Sequence, residues 1–312
     1  MGAERRLDEP PGRVVPRRYP SVEAALSSRA RQARKLRPVL ERMLAERDPA
    51  LRLEADPVSF VHRYESVEDR ELVGLLASSL AYGNVKVIRS SVEKVLALLE
   101  PSPAAALTGL RRRELERLLS GFVHRFTRGP DVAALLHGAQ RCQVAHGGLG
   151  ELFLSCLKAE EDLRGAVGRF VHAVRISATK GSRSGLPPGL PYLLPDGSGP
   201  GACKRLHMFL RWMVRGPDGV DLGLWKGVPS SILLVPLDTH TGRICRYLGL
   251  TGSATPSWAA AEEVTWHLRG IDPADPARYD FALAHLGISG DCRHRRASKE
   301  CASCALAEVC GL

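Results

Sequence analysis

The last twenty-one residues, CRHRRASKECASCALAEVCGL, hold four cysteines, Cys292, Cys301, Cys304 and Cys310, spaced C-x8-C-x2-C-x5-C. Four thiolates this close in sequence can surround one compact inorganic centre, and soft sulfur ligands select zinc or an iron–sulfur cluster. Zinc knots usually carry two C-x2-C knuckles, and only Cys301 and Cys304 have that spacing here. An iron–sulfur cluster is therefore favoured over zinc, with plain thiols the remaining alternative. The other cysteines, Cys142, Cys156, Cys203 and Cys245, lack ligand spacing and read as free thiols in a reducing compartment.

The opening segment MGAERRLDEPPGRVVPRRYP is charged and proline-rich, unlike a secretory signal, and MGAERR lacks the hydroxyl residue a myristoylation site wants. The longest apolar run, Ile232 to Leu237, is far too short to cross a bilayer. A soluble cytoplasmic protein with no membrane partner is expected. The formal charge of +10 invites a polyanionic partner, but residues 1–37 alone carry ten Arg or Lys against four acids. Such an arm is usually solvated or disordered and binds polyanions weakly. Arg293, Arg295, Arg296 and Lys299 sit between the first two terminal cysteines, and a metal-anchored loop with four cations is a candidate for phosphate contacts.

Helical periodicity dominates the chain. Ile88, Val92, Val95, Leu96 and Leu99 form one apolar face, and Leu163, Val167, Phe170 and Val174 form another. Leu206, Phe209, Leu210 and Met213 repeat the pattern, and no convincing alternating strand is visible. The expectation is an all-α fold with two helical lobes. Its parts are a basic, partly disordered arm (1–37), a first helical half (38–179), a Gly/Pro-rich loop (180–202), a second half with the chemical segment (203–291) and the four-cysteine loop (292–312).

Two segments of the second half could carry chemistry. GSGPGACKRLHMFLRWMVR (197–215) is a glycine-rich turn feeding a helix that starts near Cys203. Gly199 and Gly201 would let backbone N–H groups approach a phosphate, and a helix N-terminus favours an anion. Lys204, in the first turn, is either a candidate amine nucleophile or an exposed lysine. In ILLVPLDTHTGRICRYLGL (232–250), Asp238 stands where helices commonly take an aspartate as N-cap.

LDTHTGRICRYLGL resembles the VDTH-x3-R segment of the helix-hairpin-helix (HhH-GPD) DNA glycosylases, and the terminal array resembles the C-x6-C-x2-C-x5-C iron–sulfur loop of their endonuclease III-type members. RELVGLLASSLAYGNVKVIRSSVEKVL (70–96) is similar to an early helix of those enzymes. KRLHMFLRWMVR, GVDLGLW and YDFALAHLG resemble a bacterial subfamily of the same superfamily. Most of residues 50–312 is covered. The resemblance implies a two-lobed helical glycosylase fold with a cluster loop, and a monomer acting on double-stranded DNA in base-excision repair, associated with the nucleoid. It also implies Asp238 as the catalytic carboxylate, Lys204 as the amine of a glycosylase/lyase, and Arg243 as a phosphate or acid partner.

The departures from that pattern are specific. The hairpin LPGVGRKTA is replaced by GPGACKRL, and Lys204 and Asp238 stand 34 residues apart, similar to archaeal oxidised-guanine glycosylases and longer than in endonuclease III. GPDGVDLGLWKG (216–227) fills that gap. Leu80 in ASSLAYG occupies the place of a base-pocket glutamine, which argues against pyrimidine-lesion specificity. Tyr82 is a candidate stacking residue or a half-buried helix-end tyrosine. Trp225 is a candidate pocket aromatic, Asp221 has no assigned role, Trp212 is expected in the core, and His240 reads as a packing or phosphate-contact residue. Two other classes stay open: a nucleic-acid binder on the same scaffold without glycosylase chemistry, and a metal-cluster regulator.

Overall fold

The computed structural model describes residues 22–46, 53–180, 185–288, 292 and 299–311. Within them the chain is mostly helical, in keeping with the periodicity. Helices α1 (Val22–Glu46), α2 (Val67–Leu80), α3 (Val85–Leu96), α4 (Pro103–Gly109) and α5 (Arg112–Leu118) precede a hairpin of β1 (Val123–His124) and β2 (Thr127–Arg128). Then come α6 (Gly129–His146), α7 (Leu149–Ala159), α8 (Leu163–Thr179) and the short α9 (Leu190–Leu193). The second half holds α10 (Lys204–Val214), α11 (Thr239–Tyr247), α12 (Trp258–Arg269), α13 (Asp280–Ile288) and α14 (Lys299–Ala302).

Side-chain caps set many of the helix starts. Ser66 accepts from Asp69 N–H at 3.1 Å, Asp162 from Gly165 N–H at 2.7 Å and Ser257 from Ala260 N–H at 3.0 Å. Each satisfies a backbone donor that an isolated helix leaves bare. The expected boundary at residue 37 is corrected, because α1 runs through it and through Pro38. Leu36, Val39, Leu40 and Met43 recur at helical spacing and are buried, and α1 packs against α12. Residues 22–37 thus belong to the helix, and the expected arm before residue 22 lies outside the described residues.

The middle of α6 is buried on all sides from Asp131 to Gln140. At Gly138 a Cβ would fall 2.4 Å from the carbonyl oxygen of Val174, so α6 and α8 approach closer than any side chain allows. The two halves share one apolar core. Phe153 of α7 stacks on Trp225 at 5.5 Å between ring centroids, and Trp225 meets Phe209 of α10 edge-on at 5.3 Å. Trp225 is thus a core residue, only 4% exposed, that also borders a cleft with Glu71, Gly148 and Leu154. Trp212, fully buried, is core as expected.

A buried carboxylate ties the same junction together. Glu71 of α2 accepts from Gln143 Nε2 at 2.7 Å, from the backbone N–H groups of Leu149 and Gly150 at 2.8 Å each, and from Trp225 Nε1 at 2.7 Å. It therefore caps α7 from another helix, and a buried charge so fully hydrogen-bonded is tolerated.

His207 of α10 is a contrasting case. It is sealed against Trp258, ring centroids 4.8 Å apart, and neither ring nitrogen has a hydrogen-bonding partner among the described residues. Burial pushes its pKa down to about 4. The unfolded imidazole takes up a proton near pH 6.5 and the folded one does not, so stability present at neutral pH is lost as pH falls from 6.5 to 4. The expected loss from this residue is about 3 kcal/mol. Urea unfolding at pH 7 and at pH 4.5 checks it: His207→Leu should flatten the pH dependence, and equal slopes in the two proteins would contradict the assignment.

Candidate functional site

The chain between α9 and α10 is a turn held from outside. Asp196 Oδ1 accepts from the N–H and hydroxyl of Ser198 at 3.0 and 2.6 Å, and Arg175 pairs with Asp196 Oδ2 at 2.9 Å. Arg164 donates to the carbonyls of Gly197 and Gly199 at 2.8 and 3.0 Å. Cys203 takes a left-handed conformation, φ +46°, and its carbonyl receives the first N–H groups of α10. That single reversal puts Lys204 at the first position of the helix, as the sequence suggested.

Lys204 Nζ lies 2.6 Å from Asp238 Oδ2. Asp238 ends the extended apolar segment 232–237 and caps α11, its other oxygen accepting from Thr241 N–H at 2.8 Å. The N-cap reading and the chemical reading therefore describe one carboxylate with two differently used oxygens. Both side chains are partly exposed, 29% for Lys204 and 21% for Asp238. Burial would raise the Asp238 pKa, but the Lys204 ammonium, the Thr241 N–H and the charge of His240 together hold it below the usual carboxylate range. Asp238 is thus an anion at neutral pH.

Lys204 also lines a cleft of about 320 Å³ bounded by Tyr192, Gly197, Gly199, Gly201, Cys203 and Arg205. A Cβ at Gly199 or Gly201 would meet no atom within 4 Å, and neither glycine has a positive φ. Their small size is demanded by nothing inside the protein, and it leaves the backbone bare toward the cleft. Arg205 is clamped between Tyr82 and Tyr192, its guanidinium 4.9 and 4.8 Å from the two rings, and donates to the carbonyl of Ser79 at 2.6 Å.

Beneath the pair the protein is buried and charged. Asp280 of α13, fully buried, pairs with Arg211, and its Oδ1 has no hydrogen-bonding partner among the described residues. Burial raises its pKa against the pull of Arg211 and Lys204. Asp221 bridges Arg211 and Arg215, and Arg215 reaches Asp275 at 2.8 Å and Asp218 at 3.0 Å. Asp221, unassigned from sequence, is the buried hub of this network. Cys245 packs nearby, its thiol pKa raised by burial and by the charges of Asp280 and Asp238.

The remaining expected residues divide clearly. Tyr82 is the half-buried helix-end tyrosine expected: its hydroxyl donates to the His124 carbonyl at 2.9 Å and lies 2.6 Å from Thr127 Oγ1, which ties it to the hairpin. The exposed aromatic on this side is Phe126 at the hairpin tip, 70% exposed with its ring 6.1 Å from that of Tyr192. No period-2 pattern marked so short a hairpin. Arg243 is exposed on α11, away from the buried network. Arg293, Arg295 and Arg296 lie outside the described residues, as does the side chain of Lys299.

Cys292, Cys301, Cys304 and Cys310 are partly exposed. Cys301 and Cys304 share one turn, the N–H of Cys304 donating to the Cys301 carbonyl at 3.3 Å. Gly311, next to Cys310, donates to the Tyr247 carbonyl at 2.7 Å, which fixes this end of the chain beside α11. Among the described residues no three His, Cys, Asp or Glu side chains converge closely enough to hold a metal ion, so a metal site rests on donor chemistry and sequence spacing. No helix among them is long and apolar enough to cross a membrane.

Residues 56–289, three-quarters of the chain, match a family described as "Protein of unknown function (DUF2400)". The chain belongs to the DUF2400 family. The matched region spans α2 to α13 and so contains Lys204, Asp238 and the network beneath them. No curated protein and no solved structure matches the chain.

Proposed function

We propose that this chain is a DNA glycosylase, with the capacity for a covalent glycosylase/lyase reaction, on a helix-hairpin-helix type scaffold. The observation that carries the reading is the Lys204–Asp238 contact. Two residues 34 positions apart meet at 2.6 Å on facing helix starts, beside a cleft whose glycine rim is open. Cleaving an N-glycosidic bond develops positive charge at C1′ of a nucleotide turned out of its stack. A carboxylate fixed by a helix N-terminus and backed by a buried, charged layer can relay a proton from Lys204 to the departing base and, ionised again, stabilise that charge.

Lys204 supplies the attacking group. Its ammonium passes a proton to Asp238 Oδ2, leaving a neutral amine and a neutral acid. The amine attacks C1′ as the bond to the base breaks, and Asp238 returns its proton to the departing base. Transfer of the remaining N–H proton to O4′ opens the sugar to an imine, the species that borohydride reduces. Exposed Phe126 and Tyr192, with Arg205 behind, give an unpaired base a surface to stack on.

The four terminal thiols fit a [4Fe–4S] cluster in donor type, with zinc as the alternative; bound there, the group would tie the C-terminal segment into a closed loop. Protein purified without oxygen should be brown and carry four irons, and Cys301→Ala should lose both metal and colour. Stoichiometric zinc in an anaerobic preparation would replace the cluster by its alternative. The glycosylase reading itself is tested with a panel of lesion-containing duplexes and borohydride trapping. Processing of at least one lesion, with trapping lost in Lys204→Gln, supports it; no processing across a broad panel leaves a nucleic-acid binder without chemistry.

A further inference from the structure

We propose that the cleft between α5, α6 and the end of α8 is a second binding site, selective for the vicinal phosphates of an oligophosphate and separate from the Lys204–Asp238 pair. The cleft has a volume of about 500 Å³ and is lined almost entirely by cations, with Glu114 the one acid on its wall among the described residues. Glu114 is already taken by Arg111 at 2.7 Å. Arg112 is buried and held in place by Glu116 at 2.9 Å and by the carbonyls of Ala178 and Gly185 at 2.8 and 2.9 Å, so it forms the floor.

What remains has no carboxylate. Arg113 and Arg117 project from successive turns of α5, Arg141 from α6 and Lys180 from the end of α8, and none makes an ion pair among the described residues. Some surface arginines of this chain do find acids: Arg63 pairs with Glu93 at 2.8 Å and Arg169 with Glu160 at 2.6 Å. Four cations gathered in one concavity without acids repel one another, and an anion of several charges removes that repulsion. Guanidinium forks suit phosphate oxygens in pairs.

His137 is the independent observation. It lines the cleft from α6, one turn before Arg141, with 9% of its surface exposed, and its Nδ1 is buried without a partner among the described residues. Burial and the charges of Arg141 and Arg112 hold it in the neutral form, with Glu116 opposing weakly. A phosphate seated among Arg113, Arg117, Arg141 and Lys180 reverses the sign of the field at this ring and gives it a charged hydrogen-bonding partner.

The probe is inorganic pyrophosphate, titrated calorimetrically into the full chain at low salt. One saturable site per chain is expected, with the His137 ring signals shifting in the ¹H–¹⁵N spectrum. The exposed triple variant Arg113→Gln/Arg117→Gln/Arg141→Gln should bind at least about tenfold more weakly, since each charge-assisted contact is worth roughly that factor. Lys204→Gln should bind as the wild type does. Absence of saturable binding at millimolar pyrophosphate overturns the proposal, and so does a triple variant within about twofold of the wild type. Affinity lost in Lys204→Gln but kept in the triple variant also overturns it, by placing the anion in the other cleft. A short DNA duplex that displaces pyrophosphate assigns the site to phosphates of a strand; a duplex that leaves it bound assigns it to a free oligophosphate.

Discussion

Asp238→Asn is expected to slow release of a damaged base roughly a hundred- to a thousandfold, about 2.7–4 kcal/mol in the barrier, while duplex affinity is kept or raised. The amide keeps the size of the side chain and can still accept from Thr241 N–H, so the cap of α11 survives. What it loses is the negative charge facing Lys204 and the ability to take the lysine proton. Affinity is kept because the lost charge is of the same sign as the phosphates. Single-turnover kinetics on whichever lesion the wild type cleaves, with binding measured in parallel, check both halves. Full activity in Asp238→Asn would remove Asp238 from the catalytic role. Trapping that survives Lys204→Gln would instead transfer the nucleophile to another amine, Lys226 of the 216–227 segment being the next to test.

Asp221→Ala is expected to cost about 3–5 kcal/mol of folding stability, more than any exposed ion pair of this protein. Asp221 has no accessible side-chain surface and touches both Arg211 and Arg215. Removing it takes away the one carboxylate that bridges the two buried guanidinium groups, because Asp280 reaches only Arg211 and Asp275 and Asp218 reach only Arg215. Glu93→Ala, which breaks the exposed pair with Arg63, should cost no more than about 1 kcal/mol. Urea midpoints of the two variants make the comparison, and an Asp221→Ala protein within about 1 kcal/mol of the wild type would show that the network adds little to stability.

Local signals in the sequence were read correctly where the physics is local. Asp238 opens α11 because Asp-Thr-His after an apolar run is an N-cap pattern, and α10 begins at Lys204 because a glycine-rich turn feeds it. The apolar faces of α3, α8 and α10 are buried as their 3.6-residue period predicts. The contact between Lys204 and Asp238 was not legible from spacing, since it depends on how α10 and α11 dock on α2 and α13. Charged residues that end up inside were the hardest to place. Glu71, Arg211, Asp221 and Asp280 look like solvent-facing residues one by one, and only partners distant in sequence make their burial tolerable. The cations around His137 form a cleft only in the fold: residues 111–117 supply four arginines in one basic stretch, but Arg141 of α6 and Lys180 at the end of α8 come from distant sequence.

The cap that Glu71 places on α7 bears on how this chain can be divided. Its donors come from α6, from the start of α7 and from Trp225 beyond residue 216, so the carboxylate is fully satisfied only when the second half has arrived. A fragment ending in the Gly/Pro-rich loop would keep the buried acid and lose both an indole donor and the ring that stacks on Phe153. On a ribosome, the helices before residue 180 would wait with an incompletely paired charge at their centre. The glycine- and proline-rich stretch therefore marks a bend in the backbone, while melting, truncation and evolution by fusion would treat the helices on either side as one cooperative unit.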